Sequence, residues 1–567
     1  MDAAYAVATH EVTNQPAPLA DVDLFRLNLP MRDALARLAP GLDSSGLTKL
    51  GQSAGSVQMQ VHARLANAHG PELHTHDRHG RRVDQVEFHP SYHALMATAC
   101  EGGLHGTPWG EAASNPHAHL LRAAGFMLFS EVEPSHLCPV SMTYAATPAL
   151  RGNAELAGQW APKLFARAYD PAFRPFEQKA GVTMGMGMTE KQGGSDVRAN
   201  TTQAVFHGET PWGRCFRLVG HKWFFSAPMC DAFLVLAQTP AGLSCFFLPR
   251  WLPEWLGEPD RVNRLRIQRL KDKLGNKANA SSEVEFHGAY AWLIGEEGRG
   301  VAQILEMGTM TRLDCALGSS ALMRQALSQA LNHTAQRMAF GKPLIAQPLM
   351  RNVLADLALE SEAATALALR LAHAFDHPEA DRHAAAMRRL LTPVAKYWIC
   401  KRGAGFAQEA MECLGGNGYV EEGGEGILAR IYREMPVNSI WEGAGNIMAL
   451  DLLRAAKRGS AHTSELVDAL MHELQPARGM HAGLDACIAS VAHRLTEGTE
   501  EIESRGLAQD LALAVQAALL RQQAPDFVFE AFCASRFGSP SGLAAFGCLP
   551  SRTHFDGILA RAMPALN

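Results

Sequence analysis

The stretch FRLVGHKWFFSAPMCDAFLVLAQTPAGLSCFFLPR, residues 216–250, decides the fold because its composition differs from that of the chain on either side. It contains short runs rich in Val and Phe that are separated by Pro and Gly, a pattern typical of β-strands. A further run of the same kind, SEVEFHGAYAWLIG, covers residues 282–295. Together these runs predict a small β domain in the middle of the chain.

Helical patterns lie on both sides of this β domain. Before it, apolar stretches such as HLLRAAGFMLFSEV (residues 119–132) alternate with Gly, Pro and Asn breaks. After it, apolar residues recur at helical spacing, at Val353, Leu357, Ala364, Leu367 and Leu371. The sequence therefore predicts an α+β chain with an N-terminal helical domain (1–180), a β domain (181–295), a helical bundle (296–454) and an additional helical domain (455–567).

The composition excludes several classes of protein. The chain has 567 residues, more than the roughly 250–300 that one hydrophobic core supports, and a net charge of -5, so no global positive field attracts nucleic acid or membrane. Its 11 cysteines form no CxxC pair, which favours a reducing cytosol over a disulfide framework. No signal peptide and no spanning segment is recognised, so a cytoplasmic protein without membrane contact is expected.

A glycine-containing segment, MGMGMTEKQGGSDVRANTT, covers residues 184–202. It does not open a helix after a strand in the G-x-G-x-x-G spacing, so it is not a dinucleotide fingerprint. It offers a turn at Gly193 and Gly194 with hydroxyls at Thr189 and Ser195, where backbone amides can approach an anion or a ring edge. The alternative is a plain loop between domains.

Aromatic residues mark a second candidate segment, HKWFFSAP, residues 221–228. Strand alternation would place Trp223 and Phe225 on one face, where flat rings could line a planar cofactor. Core packing is the alternative.

The segment NSIWEGAGNIMALDLL, residues 438–453, places Glu442 after an apolar pair and before small residues. Burial raises the pKa of such a carboxyl group, which suits a base that removes a carbon-bound proton near neutral pH. The alternative is a glutamate at the start of a helix, stabilised by the helix dipole.

Two further segments have less specific patterns. LGGNGY, residues 414–419, either lets backbone approach a phosphate or closes a helix with glycine. HTHDRHGRR, residues 74–82, is interpreted as a solvated loop, because no set of carboxylates or cysteines completes its histidines as metal ligands. The sequence predicts no metal site.

In order and spacing, these segments resemble the acyl-CoA dehydrogenase flavoprotein family, and within it the AidB-like, adaptive-response branch. The resemblance covers about Asn14 to Arg454, and its most specific strings are GMGMTEKQGGSDV, LVGHKWFFS, RLKDKLGNKANASSEVEF, MTRLDCALGS, LGGNGY and YREMPVNSIWEGAGNIM. It implies an N-terminal helical domain, a middle β domain and a C-terminal four-helix bundle, followed here by an extra helical region.

The resemblance also implies FAD as the cofactor and a set of residues that bind it. Arg337, Phe340 and Gln347 match positions that hold the adenosine diphosphate half of FAD in a neighbouring subunit, so a homotetramer built as a dimer of dimers is expected. The full implied set is Met186, Gly187, Met188, Thr189, Gly193, Gly194, Ser195, Trp223, Phe224, Phe225, Ser226, Arg337, Phe340, Gln347, Gly415, Gly416, Trp441, Gly443 and Asn446.

The implied activity is the α,β-desaturation of an acyl-CoA thioester, with Glu442 as the base. Some branches of the family have the base at a position that corresponds to Thr311, which cannot serve. An electron-accepting flavoprotein is a further implied partner.

The alternative function is that of a DNA-binding adaptive-response flavoprotein that protects against alkylation damage, with weak or vestigial dehydrogenation. Residues 451–567 contain ten basic and thirteen acidic residues, so the carboxy-terminal region is acidic. A denser basic cluster covers Arg261 to Lys277, interpreted as a loop of the β domain or a surface for CoA phosphates. Only weak, salt-sensitive DNA binding is expected from these charges and from Arg454, Lys457 and Arg458.

Overall fold

The N-terminal part of the chain is helical, as predicted. The structure is a computed structural model that describes residues 9–376, 381–421, 427–456, 461–538 and 545–564. Helices α6 and α7 are buried on almost every side, because nearly all their residues are apolar or small. The helices of this part are α1 (Leu24–Leu27), α2 (Leu29–Leu38), α3 (Ser45–Ala54), α4 (Val57–Ala68), α5 (Pro90–Glu101), α6 (Ala118–Val132), α7 (Leu137–Leu150) and α8 (Ala154–Leu164).

The histidine-rich segment 74–82 is not simply a loop, and that prediction is wrong in part. Strands β1 (Glu72–His76) and β2 (Arg82–Glu87) pair antiparallel across it. The carboxylate of Asp77 accepts the backbone N–H groups of His79 at 2.8 Å and Arg81 at 2.9 Å, which closes the turn. The segment is largely exposed, as expected of solvated residues.

The middle of the chain forms the predicted β domain. Strands β5, β6, β7 and β9 coincide with the Val- and Phe-rich runs, and β3, β4 and β8 were not recognised. Pairing closes the ring β5–β9–β7–β6–β3–β5, whose interior is filled by Phe225, Phe233, Phe246 and Phe286. The strands are β3 (Met184–Thr189), β4 (Gln203–Thr210), β5 (Gly213–Ser226), β6 (Ala232–Thr239), β7 (Gly242–Pro249), β8 (Leu265–Leu270) and β9 (Ser281–Ile294).

The next part is the predicted helical bundle. Its central helix, α9, packs against α10 and α11 and also against α6 and α7. Asp314 of α9 forms a buried ion pair with Arg122 of α6, with Nη2 and Oδ2 2.9 Å apart. The elements are α9 (Gly300–Gln336), β10 (Met338–Ala339), β11 (Lys342–Pro343), α10 (Pro348–His373), α11 (Arg382–Glu412), α12 (Gly416–Tyr419), α13 (Ile427–Asn438) and α14 (Gly445–Ala455).

The predicted additional helical region packs onto this bundle. Helix α17 is largely buried against α10, α11 and α14. Arg536 of α18 is fully buried and donates to Asp356 at 2.7 Å and Glu360 at 3.1 Å, both on α10. The helices are α15 (Ala461–Leu474), α16 (Ala482–Glu497), α17 (Ser504–Gln523), α18 (Asp526–Arg536) and α19 (Phe555–Ala562). Among the helices described, none is both long and apolar enough to cross a membrane.

We expect Arg536→Ala to lower the free energy of unfolding by about 3–5 kcal/mol, because it leaves two buried carboxylates without their shared cation. Urea denaturation followed by circular dichroism measures this. The control is Arg521→Ala, which removes an exposed pair with Asp526 and should cost about 1 kcal/mol or less. Equal effects of the two substitutions would contradict a structural role for the buried pair.

Candidate active site

Glu442 lies in the loop between α13 and α14, and its carboxylate faces a cavity between helices. Thr311 of α9, itself buried, donates its hydroxyl to Glu442 Oε2 at 2.6 Å. The cavity, called here the Glu442 cavity, is lined by Phe126, Ser130, Pro134, Leu137, Cys138, Ser141, Met142, Thr311, Asp314, Cys315, Gly318, Glu434, Asn438, Trp441 and Glu442. The predicted base therefore stands at the wall of a mainly apolar space.

Two cations hold the loop that carries Glu442. Arg312 Nε donates to the carbonyl oxygen of Glu442 at 3.0 Å, and Lys396 Nζ donates to that of Gly443 at 2.5 Å. Arg312 is held in turn by Asp451 of α14, at 3.0 Å. Glu442 adopts a φ of 59°, a left-handed conformation that costs a non-glycine residue about 1–2 kcal/mol. These contacts keep the glutamate in a conformation that it would not adopt by itself.

The surroundings of the Glu442 carboxyl group shift its pKa in the direction that suits a base. Burial raises the pKa of Glu442 above its ordinary value, and the Thr311 hydrogen bond with the charges of Arg312 and Lys396 opposes that rise. A carboxylate with a raised pKa is a stronger proton acceptor, provided that it still ionises near neutral pH. The sequence also allowed Glu442 to be a glutamate that only interacts with the dipole at the start of a helix. That alternative does not explain the hydrogen bond from Thr311.

A second carboxyl group, which the sequence analysis did not single out, lines the same cavity. Glu434 of α13 accepts the backbone N–H of Asn276 at 2.5 Å and the Asn276 side-chain amide at 2.8 Å. Burial raises the pKa of Glu434 to about 7. Its sequence neighbourhood, YREMPVN, gives no periodic sign that the side chain turns inward. The contact joins the bundle to the β domain.

The predicted flavin segments lie next to one another on β3 and β5. Met186 pairs with Ser226 and Thr189 pairs with Phe224 across these antiparallel strands. Gly194 packs so closely on Thr189 that a Cβ atom would lie 2.6 Å from its hydroxyl oxygen. Residues 184–189 are thus a strand rather than a plain loop, and Gly193, Gly194 and the exposed Ser195 follow it in a turn.

The prediction that Trp223 and Phe225 share one face is wrong. A register shift between Lys222 and Phe225 interrupts the alternation of β5 against β9. Phe225 is fully buried inside the β domain, against Gly187, where a Cβ atom would lie 2.3 Å from its ring. Trp223 instead turns outward with the exposed Phe224, and Lys271 Nζ lies 3.3 Å from the Trp223 ring centre. Phe224 is therefore the exposed ring of this segment, and Trp223 is half-buried beside Lys271.

The surface formed by Thr189 of β3 and by Trp223 and Phe224 of β5 is called here the rim of the β domain. A buried ion pair, which the sequence analysis missed, is formed by residues next to Thr189 and Trp223 in the chain. Lys222 Nζ donates to Glu190 Oε1 at 2.7 Å, and both side chains are fully buried. Thr202 and Thr201 donate to the same carboxylate at 2.6 Å and 3.0 Å. Burial alone would raise the pKa of Glu190, but Lys222 and these donors lower it below its usual range. The only sequence signal is that each residue adjoins a predicted site residue, Thr189 or Trp223.

The hairpin of β10 and β11 carries Phe340 in its turn and has Arg337 and Gln347 on either side of it. These three residues lie far from Glu442, beyond the end of α9. Arg337, the residue that caps the end of α9, follows Thr311 by 26 residues. At 1.5 Å per helical residue, the two residues are about 39 Å apart along the helix axis. Phe340 occupies the turn between β10 and β11 with a φ of 52°, and its side chain is 97% exposed. Gln347 steadies the hairpin by donating to the carbonyl of Ala339 at 3.0 Å. This group does not meet Glu442 within one chain.

The remaining predicted residues lie at two surfaces of the bundle. Trp441 donates to Asn438 at 2.9 Å, and Asn446 accepts from Arg505 of α17 at 3.4 Å, so the additional helical region reaches this loop. A Cβ atom at Gly443 would lie 2.6 Å from Met448. Gly415 has a φ of 61°, which favours glycine, and a Cβ atom at Gly415 or Gly416 would have no neighbour within 4 Å.

The basic segment 261–277 is largely neutralised by neighbouring carboxylates. It includes strand β8, so its interpretation as a loop is wrong for Leu265–Leu270. Arg261 pairs with Glu177, Arg264 with Glu258, Arg269 and Lys271 with Glu283, and Lys277 with Asp272. Arg454 is exposed, and Lys457 and Arg458 lie outside the described residues. The described charges therefore form no strong basic surface at this segment.

Three family models together match most of residues 14–457, which include Glu442 and the predicted flavin residues. The N-terminal domain of adaptive response protein AidB matches residues 14–171, the acyl-CoA dehydrogenase middle domain matches 185–289, and the acyl-CoA dehydrogenase C-terminal domain matches 298–457. This domain order, with a glutamate at the wall of an apolar cavity, defines an oxidoreductase of the acyl-CoA dehydrogenase type. Members of this class are flavoproteins.

Relatives extend the similarity over the whole chain. AidB of Escherichia coli (strain K12) is 47% identical over 526 residues, covering 93% of this chain and 94% of AidB. Acyl-CoA dehydrogenase family member 11 of Caenorhabditis elegans is 32% identical over 74% of this chain and 68% of that protein. The chain belongs to the acyl-CoA dehydrogenase family, and its similarity to AidB places it with the AidB-like members.

Solved structures agree with this assignment. The crystal structure of Caenorhabditis elegans ACDH-11 in complex with C11-CoA has a TM-score of 0.81 at 26% identity, covering 100% of this chain and 95% of that one. The apo form of Bd2924 has a TM-score of 0.80 at 28% identity, covering 91% of this chain and 100% of that one. The fold that the sequence predicted is confirmed.

We expect Thr311→Val to raise the pKa of Glu442, because the Thr311 hydroxyl stabilises the charged carboxylate. Glu442 then ionises at a higher pH, so proton acceptance is lost first at the acid end of the pH range. Infrared difference spectroscopy of the carboxyl band, with Glu442→Gln as the reference, follows this titration. The control is Thr309→Val, whose hydroxyl bonds to the carbonyl of Leu305 in its own helix. An unchanged or lower pKa in Thr311→Val would contradict the assignment.

Proposed function

We propose that the protein is an FAD-dependent acyl-CoA dehydrogenase that introduces an α,β double bond into an acyl-CoA thioester. The single observation that carries this proposal is the Glu442 carboxylate, which faces an apolar cavity and is positioned by Thr311. An acyl chain needs an apolar space, and a thioester α-proton needs a positioned base of raised pKa. ACDH-11, which shares this fold, has been solved with C11-CoA.

The chain's own residues account for the proton side of the reaction. Glu442 accepts the α-proton, and the backbone around it, held by Arg312 and Lys396, keeps the carboxylate aligned with the substrate. Thr311 keeps the carboxylate ionised before the reaction by donating to it. FAD, when bound, would supply the acceptor for the β-hydrogen, which must leave as hydride with its electron pair. The substrate loses two hydrogens and the thioester stays intact.

The residues that the sequence predicts for flavin binding on β3, on β5 and in the turn after β3 have surfaces that suit a flavin. Trp223 and Phe224 present aromatic surface at the rim, and Phe224 is 51% exposed although it is a large apolar residue. Ser195 is exposed beside the Gly193–Gly194 turn, where backbone can approach a ligand closely. We propose that these residues hold the ring and its polar edge, while the buried Glu190–Lys222 pair keeps the rim rigid.

An arginine-lined cavity next to the Glu442 cavity fits the phosphates of CoA. Arg151, Arg312, Arg388 and Arg389 line it together with Glu306 and Asp451, and Thr309 and Met310 of α9 lead from it toward Thr311. Asp451 pairs with Arg312 at 3.0 Å and with Arg389 at 3.1 Å, so four arginines share two carboxylates in this lining. Guanidinium groups recognise phosphates by charge-assisted, bidentate hydrogen bonds. We propose that the CoA phosphates bind here, in place of the segment 261–277 that the sequence analysis considered.

We propose that FAD binding requires a second copy of the chain. Arg337, Phe340 and Gln347 lie about 39 Å from Thr311 along α9, too far to act on the same cofactor half as Trp223 and Glu442 within one chain. The ring of Phe340 is almost fully exposed, as expected of a residue that another chain covers. A dimer completes the cofactor site, and the family resemblance extends this to a tetramer and to a separate flavoprotein as electron acceptor.

DNA binding is the second candidate function, and the described charges do not favour it. Most basic residues of the segment 261–277 are paired with carboxylates, and Arg536 is buried in the bundle. Phosphate contacts supply most non-specific affinity for DNA, so few unpaired cations mean weak binding. We retain the expectation of weak, salt-sensitive binding.

We expect Glu442→Gln to keep the fold and the flavin but to slow acyl-CoA-dependent flavin reduction by about a hundredfold to ten-thousandfold, since an amide cannot accept the α-proton. Anaerobic stopped-flow absorbance measures this reduction. The control is Glu434→Gln, which changes another carboxyl group that lines the cavity and keeps one of the two oxygens that accept from Asn276. Full activity in Glu442→Gln would place the base elsewhere.

We expect Phe340→Asp to weaken self-association about tenfold or more and to lower the FAD content, because a buried aromatic anchor is worth about 2 kcal/mol or more. Sedimentation velocity and flavin absorbance measure both quantities. Ile502→Asp is the matched control, since Ile502 is 88% exposed on the additional helical region. A monomer that retains FAD would contradict the proposal of a shared site.

A further inference from the structure

A cluster of metal-ligating side chains lies away from the Glu442 cavity, where α6 begins and α10 ends. His117 is the residue that caps the start of α6, His373 is the last residue of α10, and Asp376 follows three residues later. One potential ligand atom from each side chain lies within 4.8 Å of the other two. His117 is far from His373 and Asp376 in sequence, so the fold alone brings it to them.

Two polar atoms of this cluster are buried without a hydrogen-bond partner among the described residues. Asp376 Oδ1 accepts the backbone N–H groups of His119 at 2.7 Å and Leu120 at 3.4 Å. The other carboxylate oxygen, Oδ2, and His117 Nδ1 are both buried without a hydrogen-bond partner among the described residues. A buried polar atom without a partner costs about 1–3 kcal/mol, so two of them at one place point to a ligand between them.

The charges around the cluster allow a cation. Arg370 and Arg37 lie near His373, but Arg370 donates to both oxygens of Glu473 at 2.8 Å, and Glu473 also lies near Arg37. A divalent ion would offset the negative charge of the Asp376 carboxylate and would bind the imidazoles in their neutral form.

We propose that His117, His373 and Asp376 form a binding site for a divalent transition-metal ion of the zinc type. Two imidazoles and one carboxylate are a ligand set that zinc accepts, with a further position for water. Tetrahedral zinc at about 2.0–2.1 Å from its ligands needs ligand atoms about 3.3 Å apart, so the side chains must close by at most about 1.5 Å. The ion would fasten the end of α10 to the start of α6 and would have a structural role.

The test uses the untagged, full-length, flavin-containing protein after treatment with a chelator. Equilibrium dialysis against zinc alone, followed by metal analysis, should show one tightly bound ion per chain, and the temperature of unfolding should rise with zinc. His117→Ala, His373→Ala and Asp376→Asn should each weaken zinc affinity about tenfold or more. Asp376→Asn keeps an oxygen for the N–H groups of His119 and Leu120, so it should retain the fold.

The control is the double variant His74→Ala, His76→Ala in the exposed β1–β2 hairpin, which should bind zinc as the unchanged protein does. X-ray absorption at the zinc edge of the unchanged protein needs no variant and should show two imidazole ligands without sulfur. Three outcomes would overturn the proposal: undiminished affinity in all three site variants, loss of the ion in the hairpin variant, or binding only at millimolar zinc, which marks an adventitious ion.

Discussion

The length and rigidity of α9 constrain the rest of the structure. One unbroken helix from Gly300 to Gln336 carries Thr311 and Arg312 near its start and delivers the chain to the hairpin of Phe340 at its end. Its burial against α6, α7, α10 and α11 leaves little freedom to bend. Because the helix separates Glu442 from the hairpin by about 39 Å, the cofactor site that we propose takes its base from one chain and its hairpin from a neighbour.

The geometry around Glu442 depends on charged groups that bind the backbone of its loop. Arg312 and Lys396 fix the loop by its carbonyl oxygens, and Asp451 fixes Arg312. The rim of the β domain is fixed in the same way by the buried pair of Lys222 and Glu190. In both places buried charge, paired and hydrogen-bonded, positions the residues beside it. This arrangement lets the strained Glu442 and the half-buried Trp223 each keep one geometry.

Much of the fold could be predicted from the sequence because its strands and helices follow simple patterns. Strands β5, β6, β7 and β9 are rich in Val and Phe, so the sequence predicts them. Strand β3 has the sequence MGMGMT, which has no such pattern, and it forms by pairing with β5 and β6. The register shift after Lys222 could not be seen either, so the faces of Trp223 and Phe225 were assigned wrongly. Pairs such as Glu190 with Lys222 join residues across the sheet, and no local pattern marks them. The flavin and hairpin residues came from the family resemblance, and their contacts with a cofactor stay predictions.

The central claim is that the base of one chain works with the hairpin of another. The most direct test combines Glu442→Gln chains with chains that carry Arg337→Ala and Phe340→Ala, co-expressed with different tags and purified through both. Each mixed dimer should contain one intact site of two, so flavin reduction by acyl-CoA should reach about half of the wild-type rate per chain although each parent is nearly inactive. Mixed dimers no more active than their parents would contradict the account.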